Sequence, residues 1–170
     1  DRGAELETHA YQFIHNLDVK RVFKMKFDVI IGNPPYQMTF GIEGGNSANA
    51  KSIYNLFIEN AIKLNPRYLC MITPSRWMTK TAQGIPEAWV DSMLAQNKFR
   101  VIHDYENASE CFPGVEIKGG VNYFLWDRDY QGKCNYYFHQ AQTNCIIERY
   151  DYLDSKGAGV VVRDTQAYSI

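Results

Sequence analysis

Residues 27–36 read FDVIIGNPPY, and this stretch decides the fold. Val29, Ile30 and Ile31 are β-branched, and a short run of such residues predicts a buried strand in a parallel sheet. The turn Asn33-Pro34-Pro35-Tyr36 ends that strand. Open α/β sheets bind their ligands at the carboxyl ends of the strands. We therefore expect a ligand site at this turn.

The turn is rich in hydrogen-bond acceptors. Pro35 has no backbone N–H and a fixed φ, so it keeps the loop rigid and leaves the carbonyl groups free. The Asn33 side-chain oxygen and the Pro34 carbonyl can accept both hydrogens of an exocyclic NH2 group, and Tyr36 offers a flat face to the attached ring. The turn is therefore suited to binding a planar amine.

Methyl transfer to a conjugated nitrogen is the reaction that needs such a turn. The lone pair of an adenine N6 amine is delocalised into its ring, and two acceptors on its hydrogens return that lone pair to the nitrogen. The methyl donor S-adenosylmethionine loses its positive charge as the methyl group leaves, so positioning and electrostatics matter more than a strong base. In duplex DNA, the base must also be rotated out of the helix to stack on Tyr36.

Residues 27–37 resemble the catalytic motif of the gamma-class adenine-N6 DNA methyltransferases, in particular the methylase part of fused restriction-modification enzymes. Four later segments resemble the same family in order and spacing: 52–61, 68–77, 111–115 and 121–126. The resemblance implies a Rossmann-like α/β fold that depends on S-adenosylmethionine. This chain would hold the C-terminal half of that sheet, with parallel strands and an antiparallel last hairpin.

The resemblance also implies roles for individual residues. Asn33, Pro34, Pro35 and Tyr36 would form the catalytic turn. Phe112 and Trp77 would line the pocket for the target base, although each could instead be a core residue.

The cofactor contact implied by the resemblance is Asp18, which would approach the adenine of S-adenosylmethionine after a short strand at residues 10–15. Asn16 could serve equally, and a plain surface turn is another reading. Leu6, Ala10, Phe13, Ile14 and Leu17 also fit a helical stripe, so the sequence alone leaves helix and strand open.

A glycine turn of the GxG type is absent upstream of Asn33, whereas the family uses one to approach the methionine part of the cofactor. We therefore expect an inactive fragment that binds S-adenosylmethionine weakly or not at all. Residues 1–130 would form the catalytic part of the domain, and residues 131–170 would lead toward a target-recognition domain. Partners would then include the remaining domains of the same polypeptide, and an exposed sheet edge would favour self-association.

The composition predicts one globular core. The 170 residues are 45% hydrophobic and 14% aromatic, unlike a disordered segment. A net charge of −1 gives no overall attraction to double-stranded DNA, the expected substrate. Phosphate binding would therefore need a local cluster of basic residues or a missing domain. Five residues could supply part of such a cluster, or could be ordinary surface charges: Arg76, Lys80, Lys98, Lys118 and Arg128.

Neither a metal site nor a membrane span is predicted. The four cysteines form no CxxC pair, and the four histidines lack the i,i+4 spacing of a zinc site. Reduced cysteines and the lack of a run of about 18 apolar residues are typical of a protein of the prokaryotic cytoplasm.

Periodicity predicts the remaining elements. Apolar residues at helical spacing indicate helices over 53–64 and from Pro86 onward, the second burying Trp89, Met93 and Leu94. Strands are predicted at 68–72, 99–105, 121–126 and 135–139, with 121–126 antiparallel.

Several rival functions share part of this pattern. Protein glutamine and RNA guanine methyltransferases use the same four-residue turn, and a DNA-binding scaffold without catalysis is a non-enzymatic alternative. Residues 44–52 superficially resemble a phosphate-binding loop, but Ala50 replaces the glycine required before the lysine. Asp104 with Glu116 and Lys118 mimics the metal-binding residues of a nuclease.

Overall fold

The computed structural model describes residues 12–15, 19, 25–39 and 50–163. From residue 25 onward, the described chain forms eight strands and two α-helices: β1 (Val29–Gly32), β2 (Gln37–Thr39), β3 (Ala50–Ser52), α1 (Tyr54–Lys63), β4 (Tyr68–Pro74), α2 (Glu87–Ala95), β5 (Phe99–Tyr105), β6 (Val121–Asp127), β7 (Cys134–Gln140) and β8 (Cys145–Asp151). Short 3-10 helices cover Ser75–Thr79 and Ala108–Glu110.

The main sheet has six strands in the order β1-β4-β6-β5-β7-β8, and β2 pairs with β3 in a separate two-stranded sheet. Strand β1 is parallel to β4, and β7 is parallel to β5. Strand β6 lies antiparallel between β4 and β5. Strands β1, β4, β5 and β7 therefore run in one direction. The predicted α/β fold, with parallel strands and an antiparallel final hairpin, is confirmed.

One face of the main sheet carries the core. Alternate side chains of β4 to β7, such as Leu69 and Phe124, point to this face. They pack with side chains of both α-helices, such as Ile58 of α1 and Met93 of α2. The predicted buried face of α2, formed by Trp89, Met93 and Leu94, belongs to the same cluster. The two predicted helices are thus confirmed. In the chain, α1 lies between β1 and β4, and α2 lies between β4 and β5.

Helix α1 ends where the sequence predicts. Asn65 has a φ of 60°, a left-handed conformation that asparagine tolerates, and Pro66 follows it. The predicted strands at 68–72, 99–105, 121–126 and 135–139 are present. Strand β8 was not predicted, and it pairs with β7 after a turn in which Asn144 has a φ of 52°.

Two expectations about the first part of the chain are wrong. Strand β1 is parallel but not buried, since Val29 is 51% exposed and Ile31 is 78% exposed. Its free edge pairs with no other strand of the described residues. Residues 12–15 are helical and do not form a strand. Phe13 and Ile14 pack with Ile53 and Phe57, which favours the helical stripe over the extended form.

No helix in the described ranges is long and apolar enough to cross a membrane.

Candidate active site at the carboxyl edge of the sheet

Three segments meet at the carboxyl edge of the main sheet. The Asn33–Tyr36 turn follows β1, the 3-10 helix Ser75–Thr79 follows β4, and the loop 106–120 joins β5 to β6. They share an edge because β1, β4 and β5 run in the same direction. A cleft of about 290 Å³ opens between them, with walls that include Tyr36, Pro74, Arg76, Ile117 and Lys118.

The predicted catalytic turn is anchored at its end and open at its start. The Tyr36 carbonyl accepts a hydrogen bond of 3.1 Å from the Ile53 N–H, which ties the turn to the start of α1. Pro34 is buried, whereas Asn33 and Pro35 are exposed. The Asn33 side chain forms no hydrogen bond within the described part of the chain. Its amide oxygen is therefore available to a ligand.

Packing, and not hydrogen bonding, holds the Tyr36 ring. The ring is half-buried and meets the Tyr54 ring edge to face, with centroids 6.4 Å apart and an interplanar angle of 82°. Its hydroxyl is buried without a partner among the described residues. Burial, with a smaller contribution from Cys111, raises the pKa of Tyr36 to about 12. Tyr36 is therefore neutral at physiological pH.

Phe112 lies in the loop that faces this turn. The neighbouring Cys111 is close enough to Tyr36 to affect its pKa, so the segment that carries Phe112 lies near the turn. The Phe112 side chain is half-buried and belongs to neither apolar cluster of the described residues. Its backbone N–H donates to the Ala108 carbonyl at 2.9 Å. The contact of Phe112 with a substrate base stays a prediction.

The structure places Trp77 in the core and away from the cleft. Its side chain is 0% exposed and packs against Trp89 at 5.7 Å and Phe99 at 6.0 Å between ring centroids. A substrate base cannot contact a side chain that is covered on all sides. The proposed pocket role of Trp77 is therefore wrong, and the core alternative is correct.

Gly120, the second residue of a glycine pair directly before β6, holds the loop against the sheet. Gly120 has a φ of 81°, and a Cβ there would lie 1.9 Å from the Tyr105 carbonyl oxygen. Its carbonyl accepts a hydrogen bond of 3.0 Å from the Ser75 N–H. Only glycine allows the loop to approach both the end of β5 and the start of the 3-10 helix at Ser75 so closely. The Gly119-Gly120 pair was the available sequence signal.

Asp104 is the centre of a buried polar network that the sequence did not reveal. Its carboxylate accepts hydrogen bonds from the Ser75 hydroxyl at 2.6 Å and the Tyr136 hydroxyl at 2.7 Å. Arg163 binds it through two nitrogens, at 2.6 and 2.8 Å. Burial and the Asp104 charge raise the pKa of Tyr136 well above its usual value. Tyr136 therefore remains a hydrogen-bond donor.

This network removes the nuclease alternative for Asp104, because its oxygens are engaged by protein donors. Within the described residues, no group of three or more His, Cys, Asp or Glu side chains could hold a metal ion. Lys51 and Ser52 lie in strand β3, paired with β2, so the resemblance of this segment to a phosphate-binding loop does not extend to its structure.

The five candidate phosphate-binding residues do not form one cluster. Lys80 pairs with Asp91 at 2.6 Å. Lys98 donates to the Arg128 carbonyl, and Arg128 pairs with Asp129 at the amino edge of the sheet. Only Arg76 and Lys118 meet at the cleft. Asp18, the predicted cofactor contact, lies outside the described residues.

The strand order and the site at its carboxyl edge define a Rossmann-like α/β sheet of the kind found in methyltransferases. Consistent with this class, the Eco57I restriction-modification methylase family matches residues 1–112, and the chain belongs to that family.

A relative from Mycoplasma pneumoniae is described as an uncharacterized adenine-specific methylase. It is 44% identical over 134 residues, which cover 75% of this chain and 31% of that protein. The chain thus spans about a third of the length of this curated relative.

One solved structure that the chain matches shares its fold. A chain from a study of assembly and conformational transition in a type I restriction-modification system has a TM-score of 0.51 and 19% identity, covering 74% of this chain and 26% of its own length. The methyltransferase subunit of a type I system from Streptococcus thermophilus has a TM-score of 0.49 and 8% identity, covering 81% and 32%.

Proposed function

We propose that the protein containing this chain transfers a methyl group from S-adenosylmethionine to the N6 amine of an adenine rotated out of double-stranded DNA. One observation carries this proposal: the Asn33–Tyr36 turn stands at the carboxyl end of β1, beside a cleft with Tyr36 in its wall. Membership of a restriction-modification methylase family supports it. The similarity to a protein described as an adenine-specific methylase favours adenine over other planar amines.

In this mechanism the turn binds the amine and orients it. The exposed Asn33 side-chain oxygen accepts one amine hydrogen, and the Pro34 carbonyl accepts the other. Pro35 keeps both acceptors in place because its φ is fixed. Tyr36 stacks on the base with a neutral ring, and Phe112 closes the apolar slot from the opposite side or the edge. Exclusion of water strengthens both hydrogen bonds as positive charge develops on the nitrogen.

S-adenosylmethionine, when bound, supplies the activated methyl group. Asp18 is the proposed contact for its adenine, and we assign no described residue to its methionine portion. The described site fits the amine side of the reaction, since its acceptors are free and its aromatic ring is in place. We also propose that the protein works in the prokaryotic cytoplasm with further domains of the same polypeptide that recognise the DNA sequence. Self-association through the β1 edge remains a prediction.

Product analysis tests this function directly. The protein is incubated with methyl-labelled S-adenosylmethionine and long duplex DNA, and the DNA is then digested to nucleosides. We expect the label to co-migrate with N6-methyldeoxyadenosine, because the turn is shaped for an exocyclic amine on a ring. Label on a protein glutamine or on RNA guanine, in parallel reactions that offer those substrates, would support the rival methyltransferases. DNA binding without label in any reaction would support the scaffold.

Substitutions of Tyr36 test the role of its ring. The buried Tyr36 hydroxyl has no partner among the described residues, so Tyr36→Phe should retain both stability and turnover. Tyr36→Ala should weaken binding of a flipped adenine by about 1–3 kcal/mol, the usual contribution of base stacking on an aromatic ring. Affinity for duplexes with the target adenine opposite an abasic site measures this effect. A large loss in Tyr36→Phe would assign the role to the hydroxyl.

A further inference from the structure

A second cavity adjoins the candidate active site. Its volume is about 340 Å³, and it shares two residues, Arg76 and Lys118, with the wall of the cleft that contains Tyr36. The other lining residues are small or hydroxylated, apart from one more arginine: Ser75, Thr79, Thr81, Gly119 and Arg163. The cavity therefore opens beside the place proposed for the target base.

Positive charge dominates this cavity. Three of its lining residues are cationic, and none is acidic. The Arg163 charge is balanced by Asp104, which it binds through two nitrogens. Arg76 and Lys118 have no carboxylate partner within the described ranges. Glu116 lines the adjoining cleft and not this cavity. Two cationic side chains thus remain available to an anion.

Arg76 is already ordered for binding. Its guanidinium donates to both the carbonyl and the side-chain oxygen of Thr81. On the other side, Gly119 approaches so closely that a Cβ there would lie 2.6 Å from Arg76 Cγ. A side chain held in this way loses little further conformational entropy when an anion binds. Arginine is also well suited to phosphate oxygens, since its planar group can donate two parallel hydrogen bonds.

We propose that Arg76 and Lys118 bind a backbone phosphate of the DNA strand that carries the target base. This inference rests on the proposed function, because it takes the adjoining cleft as the site of the flipped base. The chemistry is that of a tetrahedral oxyanion, which free phosphate shares, and the phosphodiester next to the target nucleotide is the source we assign. Phosphate contacts of this kind hold the strand in register without reading its sequence.

Salt dependence of DNA binding tests the site. Arg76→Gln and Lys118→Gln are each compared with the parent protein on a duplex that contains the target and on an unrelated duplex. Each phosphate contact contributes about 0.9 to the slope of log affinity against log salt concentration. Because Arg76 and Lys118 share one phosphate, we expect the double variant to reduce the slope by about 0.9 on both duplexes, and each single variant to reduce it by part of that amount. Unchanged slopes in all three variants would overturn the proposal.

Lys133→Gln is the matched control. Lys133 is a half-exposed lysine just before β7, at the opposite edge of the sheet, and pairs with Asp151 at 3.6 Å. Its variant loses the same charge as Lys118→Gln but should keep the parent slope. An equal slope change in Lys133→Gln would assign the effect to net charge and contradict a defined site. Lys118 is exposed, so its variant keeps the test valid even where Arg76→Gln alters the loop.

Neutral methylphosphonate linkages identify the phosphate that binds. Placed on either side of the target adenine, they should lower the slope for the parent protein and have no further effect in the Arg76→Gln/Lys118→Gln protein. A different outcome is that the variants weaken inhibition of DNA binding by inorganic phosphate, while the methylphosphonates leave the parent slope unchanged. That outcome would assign the cavity to a free anion and overturn the proposal. DNA binding is measured without methyl transfer. The phosphate site can therefore be confirmed even if the product analysis contradicts adenine methylation.

Discussion

Replacement of Asn33 by alanine is expected to lower turnover by about 100- to 1000-fold, the usual effect of removing one hydrogen bond that stabilises a transition state. The Asn33 oxygen acts mainly as the amine nitrogen acquires positive charge, so substrate binding should change far less than turnover. Asn33 is exposed, so the free energy of unfolding should change by no more than about 0.5 kcal/mol. Single-turnover methylation and thermal unfolding of the same protein measure the two effects.

Two further variants sharpen this test. Asn33→Asp retains an oxygen acceptor and should keep more activity than Asn33→Ala. Asn135→Ala removes an exposed asparagine from β7, away from the turn, and should behave as the parent protein. Equal turnover in Asn33→Ala and the parent would remove the turn from the mechanism.

Replacement of Asp104 by alanine is expected to lower the free energy of unfolding by about 3–5 kcal/mol, the usual effect of removing one member of a buried ion pair. Arg163 would lose its carboxylate partner, and the Ser75 and Tyr136 hydroxyls would lose their acceptor. Glu106→Gln, an exposed change two residues further on, should alter stability by no more than about 0.5 kcal/mol. Urea unfolding at constant pH provides the comparison.

A double-mutant cycle with Arg163→Met separates the contribution of the Asp104–Arg163 ion pair to the free energy of unfolding from a simple loss of packing. Since both residues belong to one network, the double variant should be less destabilised than the sum of the two single variants. Strict additivity, or a loss below about 1 kcal/mol in Asp104→Ala, would show that the ion pair contributes little.

Local patterns were enough to predict much of the sheet and the position of the candidate site. The β-branched run before Asn33 predicted β1, and helical spacing predicted α1 and α2. These features depend on neighbours within a few residues. They did not predict the environment of β1, because exposure of Val29 and Ile31 depends on which strands lie beside them.

Features made by distant residues escaped sequence reasoning. Arg163 and Asp104 are 59 positions apart, and no local pattern links them. Trp77 shows the same limit, since an aromatic residue after a strand can point to the cleft or to the core with the same neighbours in sequence. The Arg76 and Lys118 pair depends on the conformation of two glycines. The resemblance to a family indicated the candidate catalytic turn, but only the fold distinguished core from cleft.

The position of β6 has a consequence for the order in which this chain folds during synthesis. Strands β4 and β5 are neighbours in sequence but not in the sheet, because β6, which is made after both, lies between them. Until residue 127 leaves the ribosome, β4 and β5 each present an edge of unpaired backbone N–H and C=O groups, and such edges promote aggregation. Pairing of β6 closes both edges and brings the Gly120 carbonyl to Ser75. The same strand therefore joins β4 to β5 and completes this wall of the cleft.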